Sequence, residues 1–218
     1  MKSHRDKLPI AVAFERSRKR LTREESRAQT RASLVAVARE HFLRHGLGDA
    51  VAEKIAEDAG YSRGALYANF DGKEELFLAV FQQEQKRRLD EFRSILVENS
   101  STKFKLRKMR DHIADSLTDP DWVVLRAEFE AGALRSERLR KSFAEMYRSQ
   151  IHDGENLVKE LLRSSEIKSL LRPREFVVVM LNLAHGLAVT QKIHGSELLQ
   201  RNTRVLIRTL FDHLISSS

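Results

Sequence analysis

The stretch AGYSRGALYANFDGKEEL, residues 59–76, decides how the N-terminal part of the chain folds. It places glycines at positions 60, 64 and 72 of a chain that otherwise favours helix. Gly60 can supply a turn after one short helix, and Ser62 is a typical N-cap, because its hydroxyl accepts a hydrogen bond from a free amide of the next helix. The stretch therefore predicts two short helices joined by a tight turn, with a corner at Gly72 into another helix.

The second of these short helices has one apolar face and one face of very small side chains. At about 100° per residue, Leu66 and Phe70 lie together, and Gly64, Ala65 and Ala68 lie opposite them. A soluble helix normally exposes Lys or Glu, so the small face indicates a bulky partner close to the backbone. A helix-turn-helix places such a helix in the major groove of DNA. The alternative is packing of this face against another helix of the same chain.

Apolar residues recur every three or four positions along almost the whole chain, which predicts an all-α fold. A first helix is expected from the capping sequence TREE, residues 22–25, to a stop at Gly46. The two short helices follow over about residues 52–59 and 62–70, and a long fourth helix, capped by Asp71, runs to about residue 98. Five further helices are expected near Leu106–Leu117 and from Asp119, Ser136, Pro173 and Ser196 onward.

Composition restricts the compartment and the partners. The 218 residues include no cysteine, so disulfides and thiolate metal sites are excluded and a cytoplasmic location is expected. The apolar run at residues 176–189 is too short to cross a bilayer, and the N-terminus lacks a signal-peptide cleavage site, so no membrane partner is expected. Residues 1–27 hold nine basic and four acidic residues, a net charge of +5. Such an arm suits a polyanion such as DNA, or is a solvated leader.

Two runs carry a family resemblance. IAEDAGYSRGALYANFDGKEEL, residues 55–76, and RASLVAVAREHFLRHG, residues 31–46, closely resemble the DNA-binding motif of the TetR family of transcriptional regulators. The match covers about residues 31–77, with several helices and both turns in register. It implies a DNA-contacting set that consists of Ser62, Arg63, Gly64, Ala65, Tyr67, Asn69 and Lys73.

The resemblance also implies a role for each member of that set. Arg63 and Ala65 are expected at base edges, and Gly64 permits close approach. Phosphate contacts are expected from Ser62, Tyr67 and Lys73, and Asn69 can make either kind. The chain departs from the family at Ala50 and Val51, where a threonine pair usually caps the second helix, which leaves Asp49 as the candidate cap.

The family architecture implies three segments. Residues 1–21 form a basic, flexible arm, residues 22–72 a three-helix DNA-binding domain, and residues 73–218 a helical ligand-binding and dimerisation domain joined through the fourth helix. The resemblance implies a small-molecule pocket in the last segment, with Glu128 as a further polar candidate. The predicted lining consists of Phe104, Met109, His112, Trp122, Arg126, Phe129, Phe143, Met146 and Tyr147. The alternative is that most of these side chains are ordinary core.

The last two helices form the predicted homodimer interface, where Gly186 would allow close contact. Its predicted residues are Phe176, Val179, Met180, Leu183, Leu187, Leu199, Leu206, Leu210 and Leu214. A two-fold dimer implies a palindromic operator with half-sites roughly 34 Å or more apart. The alternative is that these are core helices of a monomer.

No catalytic or metal constellation stands out in the sequence. His41 and His45 have the spacing of a helical metal pair, but no glutamate follows His41 as a zinc peptidase requires, so surface histidines are expected. Neither an enzyme nor a cofactor is expected. The predicted function is a homodimeric repressor released from its operator by a small hydrophobic effector. The alternative is a ligand-independent architectural or partner-recruiting DNA-binding protein on the same fold.

Overall fold

The computed structural model describes residues 22–163, 167–195 and 202–217. Nine helices and one short antiparallel strand pair make up this described part. The helices are α1 Arg23–Asp49, α2 Ala52–Asp58, α3 Arg63–Tyr67, α4 Lys73–Val97, α5 Thr102–Leu117, α6 Pro120–Ala133, α7 Glu137–Leu161, α8 Pro173–His194 and α9 Thr203–Leu214. The strand β1 Ile167–Ser169 precedes α8 in the chain, and the strand β2 Ile215–Ser217 follows α9. The two strands pair with each other in antiparallel orientation. The all-α prediction is confirmed apart from this pairing.

Most helices begin where side-chain caps predicted them. In the Thr22 capping box, the hydroxyl of Thr22 accepts from the amide of Glu25 at 3.1 Å, while the Glu25 carboxylate accepts from the amide of Thr22 at 2.7 Å. Asp119 accepts from the amide of Trp122 at 2.8 Å, ahead of a proline at the first helical position. Ser136 caps α7 in the same way. These caps satisfy amides that have no partner within their own helix.

Two predicted caps are wrong, and one predicted helix is too long. Asp49 closes α1, and the N-cap of α2 is Val51, which offers no side-chain hydrogen bond. Gly72, at φ 146°, is the N-cap of α4 in place of Asp71, whose backbone amide donates to the Glu75 carboxylate at 2.6 Å. The third helix ends at Tyr67, three residues before Phe70. Ser196, Leu199 and the basic arm at residues 1–21 lie outside the described residues.

Gly46 bends the first helix rather than ending it. Its φ of 70° kinks the chain, and the helical path resumes to Asp49. The Glu128 carboxylate on α6 accepts from the amide of Leu47 at 3.1 Å. Glu128 therefore fastens α6 to α1, and it does not line the cavity described below.

The hydrophobic core forms two clusters, and α4 contributes to both. The first joins α1, α2, α3 and the start of α4 to α6 and the first half of α7. The second joins the end of α4 and α5 to the second half of α7, α8 and α9. The first cluster contains residues from both sides of position 72, so the core packing does not separate residues 22–72 from residues 73–218. The division into two domains stays a prediction.

A chain of aromatic rings crosses the first cluster. Ring centroids are 4.9 Å apart between Phe42 and Phe77 and 5.6 Å apart between Phe77 and Phe129. Phe129 lies 4.7 Å from Phe81, which stacks on Trp122 at 4.6 Å. Contiguous packing therefore connects the interior of the N-terminal helices to α6.

Candidate nucleic-acid interface

The α3 helix presents its small face to solvent. Leu66 and Phe70 are 0% and 1% exposed and pack in the same cluster as Ile55 of α2, as predicted. On the other side, a Cβ atom built on Gly64 would meet only the Ser62 hydroxyl, at 3.7 Å, among the described residues. Packing of this face against another helix of the described chain is therefore excluded. The backbone of α3 is open to an external partner.

The turn and the cap fix the orientation of α3. Gly60 adopts φ 76°, a left-handed conformation that glycine reaches without steric cost. The hydroxyl of Ser62 accepts from the amide of Ala65 at 3.1 Å. Because that bond uses the oxygen as an acceptor, the hydroxyl hydrogen stays free to donate to an anion.

Glu53 of α2 holds the two large polar side chains of α3. Its carboxylate accepts from the phenol of Tyr67 at 3.0 Å and lies 3.4 Å from Nε of Arg63. The Arg63 guanidinium also lies 5.4 Å from the Tyr67 ring centroid. A backbone hydrogen bond, the Tyr67 hydroxyl and the Arg63 charge together lower the pKa of Glu53, and the Glu53 hydrogen bond raises the pKa of Tyr67. Arg63 and Tyr67 are thus oriented on the surface, with 73% of the Arg63 side chain exposed.

Two α1 arginines bind the C-terminal end of α3. Arg27 donates to the carbonyl of Ala68 at 3.2 Å, and Arg31 donates to the carbonyl of Asn69 at 2.6 Å. The Arg31 guanidinium also lies 4.1 Å from the Phe70 ring centroid. Positive groups at a helix C-terminus stabilise its free carbonyls. These positioning roles were not predicted, although the spacing of Arg27 and Arg31 already places them on one face of α1.

Asn69 and Lys73 have partners within the chain. The Asn69 amide donates to the carbonyl of Ala65 at 2.8 Å, and its oxygen is buried without a partner in the described residues. The ammonium of Lys73 donates to the carbonyl of Gly48 at 2.6 Å. Neither bond uses all the donors of its side chain, since an ammonium has three N–H donors and a side-chain amide has two. Ser62, Arg63, Gly64 and Tyr67 are exposed, and Ala65 is partly exposed.

Residues 34–80 match the family model described as "Bacterial regulatory proteins, tetR family". The matched segment contains α2, α3 and the start of α4, the elements that build the open face. This segment is therefore similar to the TetR family of regulators. A TetR-family crystal structure from Rhodococcus sp. superimposes with a TM-score of 0.71 at 20% identity, covering 87% of this chain and all of that one. At that identity the likeness shows the fold alone.

Curated relatives match over shorter segments. The chain is 40% identical over 57 residues to the HTH-type transcriptional regulator SrpR of Pseudomonas putida, which is 26% of this chain and 27% of SrpR. It is 28% identical over 137 residues to the HTH-type transcriptional repressor AcnR of Corynebacterium efficiens, or 62% of each chain. The chain thus spans less than two thirds of the length of these relatives. Both are named as transcriptional regulators, in agreement with the expectation that this chain is not an enzyme.

The chain also contains a cavity of about 380 Å³ among α4 to α9. Three of the predicted pocket residues line it: Met109, Trp122 and Met146. Phe176 and Met180, predicted for the dimer interface, line it as well. They are 2% and 4% exposed in the single chain, so little of either side chain is available to a partner, and their assignment to the interface stays a prediction.

The other predicted pocket residues lie away from the cavity wall. Phe129 is fully buried in the aromatic chain, with Phe143 5.0 Å away and Tyr147 stacked on Phe143 at 5.9 Å. On α5, Phe104 packs beneath Arg107 and Lys108 on the outer side. His112 packs on Phe92, and burial lowers its pKa. Helical period identified these side chains as apolar or inward, but it could not tell a cavity wall from a filled core.

Arg126 belongs to a polar cluster between α6 and α8. Its guanidinium donates to Glu130 at 2.9 Å and to the carbonyl of Leu181 at 3.1 Å. His185 lies 3.2 Å from the other oxygen of Glu130. Burial alone would raise the pKa of Glu130, but the His185 hydrogen bond and the Arg126 charge outweigh it and lower that pKa. The cluster joins two helices and does not line the cavity.

The exposed side of α8 carries the remaining interface candidates. Val179 and Leu183 are 38% and 40% exposed, and a Cβ built on Gly186 would meet no other part of the described chain within 4 Å beyond its own helical turn. The candidates Leu187, Leu206, Leu210 and Leu214 are half-buried against their own chain. Among the described candidates, the residues with surface available to a partner chain therefore lie along the exposed side of α8 and where α8 borders α9.

The structure also describes the apolar helix α8 and the histidine pair that the sequence singled out. By length and composition α8 could cross a membrane, so the 14-residue apolar run at residues 176–189 underestimated the length of this apolar helix. One side of α8 packs in the second core cluster, which is typical of a core helix. The His41 ring lies 2.9 Å from the Asp58 carboxylate and 5.9 Å from the His45 ring. Within the described ranges, no three metal-ligating side chains converge.

Proposed function

We propose that this chain is a cytoplasmic, homodimeric transcriptional repressor of the TetR family that binds a palindromic DNA operator through α3 and is released by a small hydrophobic effector. The observation that carries the proposal is the open face of α3, with Arg63 and Tyr67 beside a bare backbone. Arginine is a common reader of guanine in the major groove, and hydroxyl groups bind phosphate. Residues 1–21 would add a basic arm.

The coupling between effector and DNA would run through α4. One end of α4 holds Lys73 on the Gly48 carbonyl, and its middle lines the cavity. Trp122 joins the cavity wall to the aromatic chain that ends at Phe42 beneath the DNA-binding helices. A ligand that favours one tilt of α4 would change the separation of the two α3 helices in a dimer. A coupling of about 1–3 kcal/mol would change affinity about 5- to 150-fold.

Replacing Arg63 with alanine is expected to weaken operator binding by about 1–3 kcal/mol, because a bidentate contact to one base is lost. Lys73→Ala is expected to weaken binding to all DNA sequences alike and to reduce the salt slope by about 1, because a phosphate contact is lost. Band-shift titrations at two salt concentrations measure both effects. Lys159→Ala, on the exposed side of α7, is the matched charge control. Unchanged affinity in both variants would contradict the assignment of the DNA-binding face.

Leu183→Glu is expected to convert the dimer to a monomer. The α8 helices of the two chains would meet at the two-fold axis of the dimer, and the substitution would place two unpaired charges opposite each other there. Sedimentation velocity measures the mass. Leu134→Glu is the control, because Leu134 is 88% exposed at the end of α6, far along the chain from α8. A variant that stays dimeric would place the interface elsewhere.

A further inference from the structure

Arg88 of α4 is a buried cation in the wall of the cavity. Its side chain is 9% exposed, and its guanidinium lies 4.7 Å from the Trp122 ring centroid. One terminal nitrogen donates to the carbonyl of Ser116 at 2.5 Å. The other terminal nitrogen and Nε make no hydrogen bond within the described residues. A buried arginine normally has acceptors for these donors, so the described residues leave the hydrogen-bonding capacity of two of its nitrogens unused.

The nearest carboxylates are already engaged by other groups. Glu84, 4.0 Å from Arg88, accepts from Arg39 at 2.9 Å and from Arg87 at 3.0 Å. The Asp119 oxygen that lies 3.4 Å from Arg88 accepts from the amide of Trp122. Burial lowers the pKa of Arg88, and the Asp119 charge only partly offsets this effect. The cost of burying the guanidinium is therefore only partly compensated, and Arg88 is part of the cavity lining.

The remainder of the cavity separates into an apolar interior and a polar rim. At the rim, the Gln85 amide donates to Gln150 at 3.2 Å, which bridges α4 and α7. The other charged residues of the lining are partnered, Lys86 by Asp90 at 2.9 Å and Asp153 by Arg93 at 3.7 Å. The interior is built from hydrophobic side chains that include Phe92, Ile113, Leu157, Val158, Phe176 and Phe211.

We propose that the cavity binds an amphipathic monocarboxylate, whose carboxylate accepts from Nε and the free terminal nitrogen of Arg88 and whose hydrocarbon body fills the apolar interior. This inference rests on the effector cavity of the proposed function and names the chemical class of the effector. Arginine and carboxylate form paired, charge-assisted hydrogen bonds, and such bonds gain strength in a dry site. Displacing water from the hydrophobic lining supplies the rest of the affinity.

The test uses the purified full chain and the fluorescence of Trp122, the single tryptophan of the sequence and a residue of the cavity wall. Three probes share a ten-carbon tail and are used below their micelle concentrations: decanoate, decan-1-ol and decyltrimethylammonium. The wild type is expected to bind decanoate about tenfold or more tightly than decan-1-ol, because only the carboxylate pairs with Arg88. It is expected to exclude decyltrimethylammonium.

Arg88→Met keeps the aliphatic stem and removes the charge, and is expected to weaken decanoate about tenfold or more without changing the affinity for decan-1-ol. Arg138→Met, at an exposed position near the start of α7 and outside the cavity lining, is the matched control and is expected to leave both affinities unchanged. Decan-1-ol binding as tightly as decanoate, no binding of decanoate, or decanoate binding unaffected by Arg88→Met would each overturn the proposal. Should Arg88→Met not fold, by circular dichroism, the wild-type comparison of the three probes decides alone.

A separate band shift distinguishes this inference from the function on which it rests. Loss of decanoate binding with intact DNA binding would refute the ligand class and leave the regulator in place. Decanoate binding by a chain that binds no DNA would refute the regulator and leave the Arg88 site in place.

Discussion

Gly64→Glu is expected to reduce operator affinity by at least about 2 kcal/mol, roughly 30-fold, while leaving the folded chain as stable as the wild type or more stable. Bringing a like charge against a phosphate-lined groove costs several kcal/mol, and the added side chain also blocks the approach of the α3 backbone. Stability is not expected to fall with affinity, because a Cβ at this position meets only the Ser62 hydroxyl, at an ordinary contact distance of 3.7 Å, among the described residues. A glutamate replaces glycine in the first turn of a helix, where propensity and the helix dipole each favour it by about 0.3–1 kcal/mol.

The opposite signs separate a binding defect from a folding defect. Band shifts give the affinity, and urea unfolding gives the free energy of unfolding. Ala131→Glu on the exposed side of α6 makes the same charge change away from α3 and is expected to bind DNA normally. If Gly64→Glu bound DNA like the wild type, the α3 face would not be the DNA contact.

Phe129→Ala is expected to lower the free energy of unfolding by about 3–5 kcal/mol, the range for deleting a buried aromatic ring. The ring is fully buried, and Phe77, Phe81 and Phe143 lie edge-on to it at 5.6, 4.7 and 5.0 Å. Its loss would leave a void where the N-terminal helices meet α6. Urea unfolding followed by circular dichroism measures the change.

Phe104→Ala is the control for Phe129→Ala. Phe104 is only half-buried on α5 beneath basic side chains, so its removal is expected to cost less than about 1.5 kcal/mol. A similar loss of stability in the two variants would mean that Phe129 does not connect the two halves of the first core cluster.

The helix starts and the open face could be predicted because the signals are local. A capping hydroxyl acts on amides two or three residues away, as Thr22, Ser62 and Ser136 show. The helical period places Leu66 inward and Gly64 outward from the sequence alone. The residues that the family resemblance assigns to DNA contact include Ser62, Arg63, Gly64 and Tyr67, and all four are exposed in the structure.

The partners of the site residues could not be predicted, since they depend on contacts distant in sequence. Lys73 binds a carbonyl 25 residues earlier, and Arg27 and Arg31 bind carbonyls about 40 residues later. The apolar periodicity of α8 likewise includes both Phe176 and Leu183 and does not predict different surroundings for them. Only the packing of α7 and α9 shows that the first faces the cavity and the second faces solvent.

Selection of bound fragments from random DNA, with the wild type and Arg63→Ala in parallel, tests the DNA-reading surface most directly. The expected wild-type result is a two-fold symmetric consensus. The expected Arg63→Ala result is the same consensus with one base position relaxed in each half-site. No enriched sequence from the wild type, or identical consensus sequences from both proteins, would contradict the claim that α3 reads DNA.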